Sequence, residues 1–254
     1  MKFGVKGGQT SPWDMNFESE FQTADENFTS LIPWLAGLEF ARMPNVPRPK
    51  RFLPQPCTAE QFDRLTESVI SLAVRSPMTR EMAARFAEFF RGPLSEWERN
   101  ALIASTLRGM QGRAAQSVRG RGKAVVIRSP DREFIFGDGF YHTLKLSAPT
   151  PRPDRILVPL TPRLAVLYAC PLDYIIEPRV STLTIDSAEA ETMNETIQIY
   201  SKKEIFYRTE RPSLSPNFLA CEHLKFRSSI NVVEDFVHDI PGIPPRKPTL
   251  SVMD

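Results

Sequence analysis

Cysteine and histidine, the residues on which most metal and nucleophile chemistry rests, number three each in 254 residues. Cys57, Cys170 and Cys221 are odd in number, widely spaced and set in mostly apolar or helical text, which fits reduced, structural thiols better than a disulfide scaffold. Long apolar runs are also missing. Each hydrophobic stretch is broken by proline or charge well short of a spanning helix, and the opening MKFGVKGGQTSPW has no apolar core of signal-peptide length. The expectation is a soluble, cytoplasmic protein with no membrane partner. Charge of one sign is scarce too: 32 basic residues against 30 acidic leave +2, so no global field gathers nucleic acid or anionic lipid. Electrostatic binding then has to come from a local patch. GxSxG, HExxH, a Cys pair and GxxxxGK[ST] are all absent, which removes the common hydrolase, zinc-peptidase and P-loop routes and leaves the cofactor unknown.

What is present is enough apolar residue, 41% of the chain, to bury a core. The centre is residues 124–169, where AVVIR, EFIFGDGFYHTL and RILVPLTPRLAVLYA sit between Gly, Pro and Asp punctuation, the pattern of short, largely buried strands. Before it the signals are helical. Capping boxes stand at Thr23–Glu26, Thr58–Gln61 and Ser95–Glu98, where a side-chain oxygen accepts from the third backbone N–H and an acid or amide reaches back. Pro33 implies either a kink or a start near Thr29, and Pro77 implies a stop. A short helix from about Thr79 to Gly92 is expected to turn Met82, Phe86, Phe89 and Phe90 inward. After the strands come extended LDYII and RVSTLTI, a helix opened by Asp186 and Glu189, and a strand EIFY. INVVEDFV reads equally as strand or helix. The whole predicts an α+β fold: an irregular arm over 1–22, one domain over 23–207 with about four N-terminal helices packed on a mainly antiparallel sheet, and an extension over 208–254 ending in a proline-rich tail.

Three segments in this order carry a resemblance. They are ARMPNVPR, then FIFGDGFYHTL followed by ILVPLTPRLAVLYA, and TIDSAEAETMNETIQIYSKKEIFY. Together they resemble the mainly bacterial family known as domain of unknown function 4238, over roughly residues 24–207. In that family an Asp-containing turn after a strand precedes a P-L-S/T-P strand, here Pro159-Leu160-Thr161-Pro162, and then a helix bearing an Asn, here Asn194. The chain departs from it in lacking the family's His-rich N-terminal segment and in carrying Gly139 after Asp138. The family has no established activity, so the resemblance implies fold and a bacterial setting.

Asp138 and His142 form the sharpest candidate pair. A carboxylate that fixes an imidazole tautomer makes a general base, and both groups ligate divalent metals, so they are the candidate catalytic and metal residues of a metal-assisted hydrolase or nuclease. The plainer alternative is a carboxylate capping its turn beside an ordinary strand histidine. The second candidate is RGMQGRAAQSVRGRGKAVVIR, with five Arg, one Lys and no acid. Arg108, Arg113, Arg119, Arg121 and Lys123 offer donors suited to nucleic acid or another anionic ligand, although no aromatic for base stacking lies among them. The alternative there is a solvated helix end whose cations complement the dipole. His223 and His238, with Glu222, Asp235 and Asp239, are solvated surface groups or outlying ligands. A cytoplasmic binding protein, an enzyme, and a structural subunit docking through its tail all remain open at this level.

Overall fold

The computed structural model describes residues 21–42, 46–144, 154–219 and 232–245. The N-terminal arm with Trp13, the Cys221–His223 segment and the end of the proline-rich tail lie outside the described residues.

The fold is α+β. Its main sheet has six strands in the order β1 (Leu53–Gln55), β7 (Val180–Thr184), β2 (Lys123–Arg128), β6 (Leu164–Cys170), β5 (Asp154–Thr161) and β4 (Tyr141–His142). All neighbours run antiparallel except β2 and β7. A small second sheet pairs β3 (Phe136–Gly137) with β8 (Ile205–Phe206). The unbroken apolar runs of β2 and β6 have a simple cause: the sheet is dry on both faces. Ala124, Val126, Ile156, Val166 and Tyr168 meet α1 (Gln22–Ala36), α2 (Ala59–Val74) and α4 (Glu96–Val118). The alternate residues Val125, Ile127, Leu157, Leu167 and Leu183 meet α5 (Ser187–Tyr200) and α7 (Val232–Asp239). Helices therefore cover the sheet twice, where the sequence suggested one N-terminal layer. The described part of INVVEDFV, from Val232, opens the helix α7, and Val233, Phe236, Val237, Ile240 and Ile243, from the stretch expected as an extension, are buried in this second core.

Local signals hold where they are self-contained. The capping boxes at Thr58, Ser95 and Asp186 are all formed. The one at Thr23 is not: α1 begins at Gln22 after Phe21, with no side-chain cap. Burial of Phe21 under the Arg75 guanidinium, 4.8 Å from its ring, fixes the helix start instead. Pro33 sits inside α1 without ending it; both Pro33 and Thr29, whose carbonyl loses its partner, are exposed, so water can serve that group. Pro77 opens α3 (Pro77–Arg91), with Ser76 as its cap, because the first helical position needs no N–H. LDYII forms no strand. Among the described residues no helix is long and apolar enough to cross a membrane.

One buried ion pair joins the chain's two halves. Arg51 donates to both Glu189 oxygens at 2.8 and 2.7 Å and to the Thr184 carbonyl at 3.2 Å, while Arg48 lies over the Phe236 ring at 3.9 Å and bonds Asp239 at 2.6 Å. Removing Arg51 takes the bidentate partner from a carboxylate that is only 15% exposed and leaves it Arg48 at 3.6 Å and the Asp186 N–H at 3.0 Å. Arg51→Met is expected to cost about 1.5–3 kcal/mol, the worth of hydrogen bonds to a charged group. The same change at Arg64, whose Glu60 partner is 74% exposed, should cost less than about 0.5 kcal/mol. Urea midpoints of the two variants check the contrast.

Candidate functional site

The Gly137-Asp138-Gly139 bend packs against the C-terminal end of α5. A Cβ on Gly139 would stand 2.0 Å from the Tyr200 carbonyl oxygen, and one on Gly137 would stand 1.7 Å from Ser201 Oγ. Here the glycines serve close approach rather than flexibility. Asp138 completes the joint: its carboxylate accepts the backbone N–H groups of Lys202 at 2.7 Å and Lys203 at 3.1 Å, and its own N–H donates to the Glu204 carbonyl at 3.1 Å. Asn194 does similar work one step earlier in the chain. Its amide donates to the Glu133 carbonyl at 2.9 Å and accepts from Ile135 N–H at 3.1 Å. In the PLTP motif, Thr161 Oγ1 accepts from the amides of Arg163 and Leu164, closing the β5–β6 hairpin, and the Pro162 carbonyl accepts from Phe134 N–H at 2.8 Å. All three features of the resemblance thus tie the 133–139 segment, or the hairpin beside it, to their neighbours.

His142 looks elsewhere. On β4 it points toward the start of α3, where its Nε2 lies 3.0 Å from Ser76 Oγ and 3.2 Å from Thr79 Oγ1. Thr79 spends its hydroxyl hydrogen on the Ala73 carbonyl at 2.9 Å, so its oxygen faces the ring as an acceptor. The network therefore assigns the Nε2–H tautomer, leaving a lone pair rather than an orphaned N–H at Nδ1, which is buried without a hydrogen-bond partner among the described residues. Burial brings the imidazole down to about 4. Two chain features oppose a charge there: the dry surroundings and the positive end of α3. A serine hydroxyl within reach of an imidazole is the first half of a nucleophile–base arrangement, and no pattern in the sequence announces it, since Ser76 and His142 are 66 residues apart. Among the described residues no third group stands at Nδ1, and Ser76, Thr79 and His142 are all buried. The partners of Asp138 and those of His142 are separate sets. Among the described residues no group of three or more His, Cys, Asp or Glu is placed to hold a metal ion.

The arginine-rich stretch runs along the last turns of α4 and the loop into β2. Arg113, Arg119 and Arg121 are exposed, whereas the side chain of Arg108 lies outside the described residues. The loop's backbone is committed internally. Gly120 N–H donates to Asp63 at 3.0 Å, Arg121 N–H to the Val118 carbonyl at 2.8 Å, and Gly122 N–H to Tyr174 Oη at 2.6 Å. The guanidinium groups are what remains on offer. Arg119, 79% exposed, approaches Asp63 only to 3.4 Å, and Arg121 donates to the Ser117 carbonyl at the end of its own helix. Lys123 turns inward, donating to the carbonyls of Ile175 and Ile176 at 2.7 and 3.0 Å; burial lowers its ammonium to about 8.

A shallow cleft lies between the 131–135 segment and residues 207–212. Its arginines are already matched: Arg132 pairs with Glu191 and Glu210, and Arg163 and Arg208 pair with Glu133. His238 donates from Nδ1 to the Pro244 carbonyl at 2.8 Å, and Asp239 belongs to Arg48. Cys57 is half-buried, its thiol pushed up to about 11 by desolvation, and Cys170 is buried and raised for the same reason. In comparisons with family models, curated proteins and solved structures, nothing matches this chain.

Two outcomes follow from this geometry. Asp138→Ala should lower stability by about 2 kcal/mol, the worth of charge-assisted bonds to two main-chain amides, read from urea unfolding at neutral pH. For His142 the unfolded chain takes up a proton near 6.5 while the folded chain resists until about 4. The stability conferred by the neutral ring is therefore complete above pH 6.5 and is lost as pH falls toward 4, about 3 kcal/mol in all. Denaturation across pH 4–7 should show that decline in the wild type, and His142→Gln should lack this component.

Proposed function

We propose that this protein is a cytoplasmic binding module for an anionic ligand, with a nucleic-acid backbone as the leading candidate, acting through the end of α4. The observation that carries this reading is the set of exposed guanidinium groups of Arg113, Arg119 and Arg121 on one helix end and its loop. Asp63 stands against Arg119, at the long reach of 3.4 Å, and its other oxygen serves the Gly120 N–H. Arginine forks match phosphate geometry, and their release of condensed counterions supplies affinity without base recognition. The loop amides are spent within the fold, so recognition rests on side chains. Sequence-independent binding is the form this supports, because base stacking would require aromatics that the 108–128 segment lacks.

Metal-assisted hydrolysis at Asp138 and His142 has less in its favour. The carboxylate already serves two main-chain amides, and the imidazole is directed at two buried hydroxyls. The resemblance to domain of unknown function 4238 belongs with the binding proposal as a statement about fold, since that family brings no activity of its own.

Replacing Arg113, Arg119 and Arg121 together by Gln is the test, read by fluorescence anisotropy with single- and double-stranded oligonucleotides over a salt series. Binding should weaken at least tenfold, and the slope of log affinity against log salt should flatten by about 0.7–0.9 for every phosphate no longer neutralised. Thermal unfolding should stay within a few degrees of the wild type. Equal affinity and an equal slope in the triple variant would refute the proposal.

A further inference from the structure

We infer that the outward face of the α3–α4 hairpin is a two-fold interface between two copies of this chain. For a helix on a solitary molecule, α3 is inverted: its buried apolar residues are the small Ala83 and Ala84, while Phe86, Phe89 and Phe90 are 74%, 82% and 68% exposed. These rings are not scattered. Phe86 and Phe89 each meet Phe90 edge-on with centroids 5.1 Å apart, so the three form one continuous apolar surface. Trp97, 54% exposed, stands in the first turn of α4. That turn is held against the last turn of α3 by Glu88–Arg99 at 3.2 Å and Arg91–Glu98 at 3.8 Å.

Area and charge together select the occupant. With roughly 150–250 Å² per aromatic side chain, four so exposed present about 400–700 Å². That equals or exceeds the largest apolar patch of a typical monomer, about 300–600 Å², and supplies most of the ~800 Å² that each partner buries in a stable complex. The surrounding charges balance: Glu88 pairs with Arg99 and Arg91 with Glu98, and the exposed Arg85 and Glu96 add one of each sign. A balanced rim offers no net attraction to a polyanion or an anionic lipid surface. It does suit a two-fold axis, across which the acids of one copy meet the arginines of the other while phenylalanine packs on phenylalanine. Two antiparallel helix pairs meeting face to face make a four-helix arrangement, for which α3 and the start of α4 have the length.

The interface lies at the opposite end of α4 from the exposed arginines, about 24 Å from Arg113 and about 32 Å from the helix end at 1.5 Å per residue, so the two readings are tested apart. Sedimentation equilibrium of the full chain at micromolar concentrations should give twice the 28.8 kDa chain mass. Phe89→Glu should halve that mass while leaving circular dichroism unchanged and removing the concentration dependence of the thermal midpoint, and Phe89→Ser should weaken association at least tenfold. Phe206→Glu, at an exposed ring on the small sheet, should leave the dimer intact. A wild-type monomer across this concentration range would overturn the inference, whether the face is then covered by residues 1–20 or by a different protein. So would a dimer that survives both Phe89 substitutions.

Discussion

A sheet that is dry on both faces has to be roofed twice, and that requirement organises the molecule. β2 and β6 place apolar side chains on both sides, so neither face tolerates water. One roof comes from contiguous chain, α1, α2 and α4; the other is assembled from α5 and from α7, a helix lying more than 30 residues beyond it. The second roof is what needs fastening. Arg51 and Arg48, ahead of the sheet in sequence, reach across to Glu189 on α5 and Asp239 on α7, and a buried bidentate pair resists sliding in a way that apolar packing does not.

The 133–139 segment shows the same logic on a smaller scale. It has little regular structure of its own, yet its backbone groups are satisfied by Asn194, by the Pro162 carbonyl, and by the strand pairing with β8. Asp138 returns the favour to the two amides that follow α5. A carboxylate engaged in this way is a structural fastener, and its position between two glycines reflects how closely the chain must pass the helix end.

How much of this is legible in the sequence depends on the range of each signal. Capping boxes at Thr58, Ser95 and Asp186 can be read because donor and acceptor lie within four residues. The box at Thr23 misleads because a distant group, Arg75 on Phe21, fixes the start of α1. The unbroken run LAVLYAC is legible as a largely buried strand, but INVVEDFV is too short for its periodicity to identify it as the cover of a second face. Periodicity likewise shows that α3 has an apolar side without showing which way it faces, so Phe86, Phe89 and Phe90 are expected inside and stand outside. The arginines at the end of α4 are visible as composition. Their exposure, and the prior engagement of the loop amides, require coordinates. The meeting of His142 with Ser76 and Thr79 has no sequence signal, since those residues come together only when β4 docks under α3.

The inward turn of Lys123 has a reach beyond its own partners. Its ammonium holds the carbonyls of Ile175 and Ile176, Tyr174 holds the amide of Gly122, and Ile175 N–H is bonded in turn to the Gly242 carbonyl at 2.7 Å. The arginine-bearing loop is thereby moored to a segment far downstream in the chain. Trimming the chain just past α7 would remove the Gly242 carbonyl and slacken that mooring, so residues around Gly242 bear on how the guanidinium groups are presented.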